Sequence, residues 1–101
     1  MAEQEVRLIQ IFLSGEIDSH IFGVFEVSAD SKRNLFCTCP GYVAKSLCKH
    51  TRVVKDRIES NSGAYPFRWT KKLSTEDIID AMNDVSEFRS LMLKYSKIDV
   101  L

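Results

Sequence analysis

The stretch Phe36-Cys37-Thr38-Cys39-Pro40-Gly41-Tyr42, followed by Leu47-Cys48-Lys49-His50, contains all three cysteines and one of the two histidines of a 101-residue chain. It reads Cys-x-Cys, eight intervening residues, then Cys-x-His. Zinc prefers a tetrahedral shell of four thiolate or imidazole ligands. The spacing therefore predicts one zinc ion held by Cys37, Cys39, Cys48 and His50. Because four protein ligands leave no open position, this site is predicted to be structural rather than catalytic.

Short segments rich in β-branched and aromatic residues flank the motif and predict three strands, at 6–13, 20–27 and 35–39. Ser14-Gly15-Glu16 is interpreted as a turn after the first strand, and Pro40-Gly41 as the end of the third. Cys37 and Cys39 lie two residues apart, so both side chains project to one side of a strand. A loop over 40–47 then returns the chain to Cys48.

Two helices are predicted after the motif. From residue 49 to 59 the apolar residues, with His50, occupy one arc of a helical wheel. Ser74 lies three residues before Asp77 and predicts a helix start. An apolar stripe then runs to about Ser96 and comprises Ile78, Met82, Val85, Phe88, Met92 and Tyr95. The predicted fold is α+β: a small antiparallel sheet of about three strands, joined by the zinc site to a helix, with a second C-terminal helix over 74–96.

The motif resembles the SWIM-type zinc finger, a family marked by Cys-x-Cys, a variable spacer and Cys-x-His, with a β-hairpin before the ligands and a helix after them. The strand over 21–27, the proline after Cys39, the aromatic Tyr42 and the lysine between the last two ligands fit this resemblance. It covers residues 21–58 of a predicted single domain over 1–101. The resemblance implies the same four zinc ligands. It also implies DNA or protein binding, since SWIM modules occur in transposases, chromatin-remodelling ATPases and recombination accessory complexes.

The neutral total charge hides an uneven distribution. Residues 1–31 carry one base and six acids, whereas residues 32–57 carry seven bases and one acid, a net charge of +6. With three thiolates and one zinc ion the middle segment keeps +5. Candidate nucleic-acid contacts in this segment are Lys45, Lys49, Arg52 and Lys55. A second interpretation stays open, in which these bases only solubilise a helix face that Asp56 and Glu59 share.

Other interpretations of the cysteines, the histidines and the aromatic residues have less support from the sequence. A disulfide between Cys37 and Cys39 would be strained and would leave Cys48 unpaired, while Cys48 with His50 lacks the third group of a catalytic triad. His20 is interpreted as a strand-end histidine rather than a fifth ligand. Tyr65, Phe67 and Trp69 are interpreted as packing residues, with base stacking as the alternative. No catalytic carboxylate pair or phosphate-binding glycine loop occurs, so the chain is expected not to be an enzyme.

Two functions therefore compete. The first is a zinc module that contacts nucleic acid, with DNA favoured, as part of a larger DNA-processing assembly. The second is a protein-interaction subunit of a larger complex, in which zinc only stabilises the fold. A homodimer seam along the C-terminal stripe is a further possible use. Neither a membrane span nor a secretory signal is recognised, so the expected location is intracellular, cytoplasmic or nuclear depending on source, with no membrane partner.

Overall fold

The computed structural model describes residues 6–16 and 21–101, which form an α+β fold as predicted. A single sheet has the strand order β3-β2-β1-β4. Its strands are β1 (Arg7–Glu16), β2 (Ile21–Ala29), β3 (Leu35–Cys37) and β4 (Asp99–Val100). The first three pair antiparallel, as expected. The two-residue β4 was not predicted; it pairs parallel to β1, so that the sheet is mixed.

The predicted turn at Ser14-Gly15-Glu16 is wrong, because β1 continues to Glu16. Gly15 stays in the strand with a φ of 125°, opposite Phe22 of β2. Glycine adopts this angle without the steric cost that a Cβ brings, so the residue that suggested a turn instead allows a distorted strand. His20 lies outside the described residues.

In the described residues, four helices lie between β3 and β4 along the chain: α1 (Pro40–Lys45), α2 (Lys49–Ser60), α3 (Thr75–Met82) and α4 (Val85–Tyr95). Helix α2 matches the prediction over 49–59 to within one residue. Helix α1 occupies most of the segment expected to be a loop. Pro40 stands at its first position, where the missing N–H of proline costs nothing, and Ser46 ends it in a left-handed conformation.

The single C-terminal helix predicted over 74–96 is divided into α3 and α4. Ser74 caps α3 as expected, since its hydroxyl accepts a hydrogen bond from the Asp77 amide at 3.1 Å. The division arises at Asp84, whose carboxylate accepts from the amides of Ser86 and Glu87 at 2.7 and 3.1 Å and so starts a new helix. Met82 is left exposed at this break, although the predicted stripe included it.

Both faces of the sheet are covered. On one face a core cluster joins β1, β2 and β3 to α2 and comprises Ile9, Phe12, Val27, Cys37, Cys39 and Val54. On the other a cluster joins β1 to α3 and α4 and comprises Leu8, Ile11, Ala81, Phe88 and Met92. Leu8 and Ile11 share a face although they are three residues apart, because the pairing register shifts between Leu8 and Gln10.

A polar network ties α2 to the last strand. Asp99 of β4 accepts hydrogen bonds from Arg57 of α2, at 2.6 Å, and from Arg68. Arg57 also donates to the Tyr65 hydroxyl at 3.0 Å, which in turn donates to the side chain of Gln10 at 2.6 Å. The helix that follows the cysteine motif is thereby fixed to the centre of the sheet and to β4.

The segment between α2 and α3 packs through its aromatic residues. Phe67 stacks on Trp69 with ring centroids 5.9 Å apart, and it meets Tyr65 and Phe88 edge to face. These contacts agree with the interpretation of the segment as a packing element. None of the helices in the described part of the chain is long and apolar enough to cross a membrane.

We expect Asp99→Asn to lower the free energy of unfolding by about 1–2 kcal/mol, because the change leaves Arg57 and Arg68 without their shared carboxylate. Burial opposes ionisation of Asp99, but the hydrogen bonds from the two arginines outweigh burial and lower the pKa of its carboxyl. The contribution is therefore fully present at neutral pH and is lost as the pH falls through this lowered pKa. Urea unfolding at pH 7 measures it; an equal loss in the exposed control Asp80→Asn would contradict the role of the network.

Candidate metal centre

The four residues of the motif come together where β3, α1 and α2 meet. Cys37 ends β3, Cys39 caps the N-terminus of α1, Cys48 caps the N-terminus of α2, and His50 lies in the first turn of α2. One ligand atom from each residue lies within 4.8 Å of the ligand atoms of the other three. The set predicted from spacing is thus assembled, and it could hold a metal ion.

The distances among the ligand atoms come within about 1 Å of those around a tetrahedral ion. Two sulfurs bound at about 2.3 Å to one zinc ion lie about 3.8 Å apart when the angle between them is tetrahedral. The Sγ of Cys37 and the Nδ1 of His50 are 3.7 Å apart, and all four ligand atoms stay within 4.8 Å. The longest separation therefore has to shorten by about 1 Å for all four atoms to bind one tetrahedral ion.

Two of the sulfurs are also helix caps. The Sγ of Cys39 accepts a hydrogen bond from the Tyr42 amide, and that of Cys48 accepts one from the Thr51 amide, each at 3.4 Å. The N–H groups of a first helical turn lack partners within the helix, and each of these sulfurs satisfies one of them. Cys39 and Cys48 therefore serve both as candidate ligands and as the N-caps of α1 and α2, because each accepts a hydrogen bond from the amide three residues later.

The pKa values of Cys37 and Cys48 are shifted in opposite directions by their surroundings. Burial raises the pKa of the Cys37 thiol to about 12, with further contributions from the sulfurs of Cys39 and Cys48. Burial also opposes ionisation of Cys48, but hydrogen bonds from the hydroxyl and amide of Thr51 outweigh it and lower the pKa. Clustered thiolates of this kind call for a compensating cation, because like charges in a buried site repel strongly.

The imidazole of His50 is fixed by aromatic rings. It packs against Phe12 and Phe25, with centroid distances of 5.1 and 5.4 Å, and only 2% of the residue is exposed. Burial, together with the charge of Lys49, lowers the pKa of His50 and so favours the neutral ring, which is the form that binds metals. Nδ1 faces the sulfur of Cys37, so the packing holds a ring nitrogen at the site.

Sequence analysis missed the residues that support the ligands. Phe12 and Phe25 were assigned to strands without a link to His50, because their contact with it depends on how the sheet and α2 pack. Thr51 carries a local signal that could have been used, since a hydrogen-bonding residue three positions after a cap is typical of a helix start.

The candidate nucleic-acid contacts are only partly brought together. All four side chains are exposed, and none forms an ion pair with any residue in 6–16 or 21–101. Arg52 and Lys55 line one groove beside α2. Lys49 borders a separate depression at the cysteine cluster, and Lys45 lines neither of them.

Comparisons of the chain with family models, with curated proteins and with solved structures find no match. The interpretation of the site therefore depends on its own chemistry and geometry.

We expect one metal ion per chain in the native protein and almost none after His50→Ala, because three thiolates alone do not complete the shell. Metal binding supplies folding free energy in such sites, so the variant should also lose helical circular dichroism. Elemental analysis and circular dichroism measure both effects. The neighbouring exposed change Lys49→Ala is the control, and a His50→Ala protein that kept its metal would contradict the site.

A second prediction concerns the hydroxyl of Thr51, whose oxygen lies 3.5 Å from the Cys48 sulfur. We expect Thr51→Val, which removes the hydroxyl and keeps the amide, to weaken metal binding by about tenfold, since groups that orient ligands typically contribute this much. Competition with a chromogenic chelator measures the affinity. Thr70→Val, at an exposed position, is the matched control; equal affinities in the two variants would rule out a role for this hydroxyl.

Proposed function

We propose that the protein is a non-enzymatic zinc module of the SWIM type that contacts nucleic acid through the basic surface around α2. The observation that carries the proposal is the cluster of three cysteines and one histidine within 4.8 Å, directly beside exposed bases of that helix. Sulfur-rich tetrahedral sets favour zinc over harder divalent ions such as magnesium or calcium. Four protein ligands make the proposed ion structural.

The proposed zinc ion fastens the end of β3 to the beginnings of α1 and α2. This clamp presents the first turns of α2, where Lys49 and Arg52 are exposed, in a fixed orientation to the sheet. Phosphate contacts depend on such fixed positions, and bases on a helix supply them without reading sequence. The resemblance favours DNA as the polymer and a larger DNA-processing assembly as the setting.

The lack of intramolecular ion pairs supports the same interpretation. In the described part of the chain the arginines at 57, 68 and 89 are paired with carboxylates. By contrast, the bases at 45, 49, 52 and 55 form no ion pair with any other described residue, so their charges remain available to phosphates. Asp56 and Glu59 on the same helix weaken the field, so we expect modest affinity that depends strongly on salt.

A protein-interaction subunit is the second candidate, and exposed apolar side chains beside the metal centre favour it. Val43 of α1 is 76% exposed and Leu47, just after that helix, is 73% exposed. Apolar side chains at the centre of a partner interface are typical of such subunits. Binding through these residues would change little with ionic strength, whereas phosphate binding weakens steeply.

The test compares two quadruple variants of equal charge. One changes Lys45, Lys49, Arg52 and Lys55 to glutamine; the other changes the exposed Lys71, Lys72, Lys94 and Lys97 to glutamine. We expect only the first to lose affinity for labelled oligonucleotides, and its slope of log affinity against log salt to fall by about 3. Fluorescence anisotropy between 50 and 200 mM salt measures this.

Elemental analysis of the same samples should show one zinc ion per chain in wild type and in both variants. Equal affinities in the two variants would argue against nucleic-acid contact through α2, and a metal other than zinc would contradict the proposed cofactor.

A further inference from the structure

A groove beside α2 adds a basic residue that the sequence motif did not indicate. It lies between α2 and the turn that joins β2 to β3, and it has a volume of about 630 Å³. Its walls carry Arg33, Arg52 and Lys55, and its lining also includes the apolar residues Tyr42, Leu47 and Ile58. Basic side chains therefore line the groove on both sides. The contacts predicted from the sequence included Arg52 and Lys55 on the helix side but not Arg33 on the other.

The turn presents Arg33 outward by enclosing its own acidic residue. The Asp30 carboxylate accepts hydrogen bonds from the Lys32 amide at 2.8 Å and from the amide and side chain of Asn34 at 2.9 and 3.0 Å. Asp30 is buried, whereas Arg33 is exposed in a left-handed conformation with φ at 67°. The turn thus satisfies the Asp30 carboxylate with amides, while Arg33 lines the groove.

The three basic side chains that line the groove lie at different positions along the axis of α2. Arg52 and Lys55 lie in the first two turns of α2 and differ by about 4.5 Å along its axis. The Arg33 guanidinium extends to the opposite end, where its Nη1 lies 3.5 Å from the point that a Cβ on Gly63 would occupy. The three charges thus follow the groove lengthwise, as the phosphates of an extended strand do.

The shape of the groove selects among nucleic acids. Proteins read a duplex by inserting a helix or a ribbon into its grooves, so a recessed channel between two walls does not fit that mode. A basic groove with aromatic side chains on which bases can stack is typical of proteins that bind a single strand, and Tyr42 lines this groove. The Tyr42 hydroxyl donates to the Leu35 carbonyl at 2.9 Å, which fixes its ring in the lining of the groove, and the exposed Leu47 lines it as well.

We infer that this groove binds one extended strand of nucleic acid, with Arg33, Arg52 and Lys55 contacting successive parts of its phosphate backbone. The inference rests on the proposed nucleic-acid function. It adds that the bound nucleic acid is single-stranded and lies along this groove. Asp56 and Glu59 also line the groove, so its three bases and two acids sum to +1, not counting the sulfur of Cys48, which lines it too and is a candidate metal ligand. Each of the three cations should therefore contribute measurably to affinity, and binding is strongest at low salt.

The experiment uses the metal-loaded full chain and a labelled 15-nucleotide single strand, alone or annealed to its complement. Anisotropy at 50 mM salt should show tighter binding of the single strand than of the duplex. Arg33→Gln should weaken single-strand binding by about three- to tenfold and lower the salt slope by about 0.7. Lys55→Gln, on the helix wall, should act alike, while the exposed Lys94→Gln on α4 should match wild type.

The possible failures are distinguishable. Tighter duplex binding would overturn the single-strand groove and leave nucleic-acid contact in place. The same conclusion would follow if Arg33→Gln and Lys55→Gln kept wild-type affinity for the single strand while Lys45→Gln or Lys49→Gln lost affinity. Absence of binding to either oligonucleotide at 50 mM salt would overturn both proposals. Metal content and circular dichroism of each variant show that a loss of affinity is not a loss of fold.

Discussion

Three cysteine sulfurs share a space less than 5 Å across with one imidazole, and this crowding governs the local structure. Burial raises the pKa of Cys37, while hydrogen bonds from the hydroxyl and amide of Thr51 outweigh burial at Cys48 and lower its pKa. A cation resolves the conflict, since it compensates every sulfur at once. Both α1 and α2 begin at a ligand, and the cluster packs on the sheet through His50 and Phe12. The position of the exposed bases of α2 follows from this arrangement.

Most of the candidate metal centre could be predicted from local sequence patterns. The Cys-x-Cys and Cys-x-His spacings identify the four residues that the structure brings together. The strand predicted over 35–39 ends at Cys37, however, so Cys39 is positioned by the start of α1 and not by the strand. Helix α2 was predictable from its helical periodicity, as His50 and Val54 occupy its buried face. The α+β class followed from the change of period after the motif.

Long-range contacts explain what local patterns missed. The two residues of β4 acquire strand geometry only by pairing with Phe12 and Leu13, which lie more than 80 positions earlier. The division at Asp84 depends on a cap competing with a continuous apolar stripe, and the cap prevails because its carboxylate satisfies two amides. Arg33 has no motif of its own; its importance depends on the proximity of the turn to α2.

The register shift in β1 has a consequence for how this chain tolerates change. Because the two cores take residues from β1 on either side of the irregularity, their assignment depends on one extra residue in that strand. A single-codon deletion near Ile9 would restore regular alternation, and the part of β1 before the deletion would then present its side chains to the opposite layers. Insertions and deletions should therefore be far rarer here than conservative exchanges among Val, Ile and Leu, even though the strand lies remote from the cysteines in sequence.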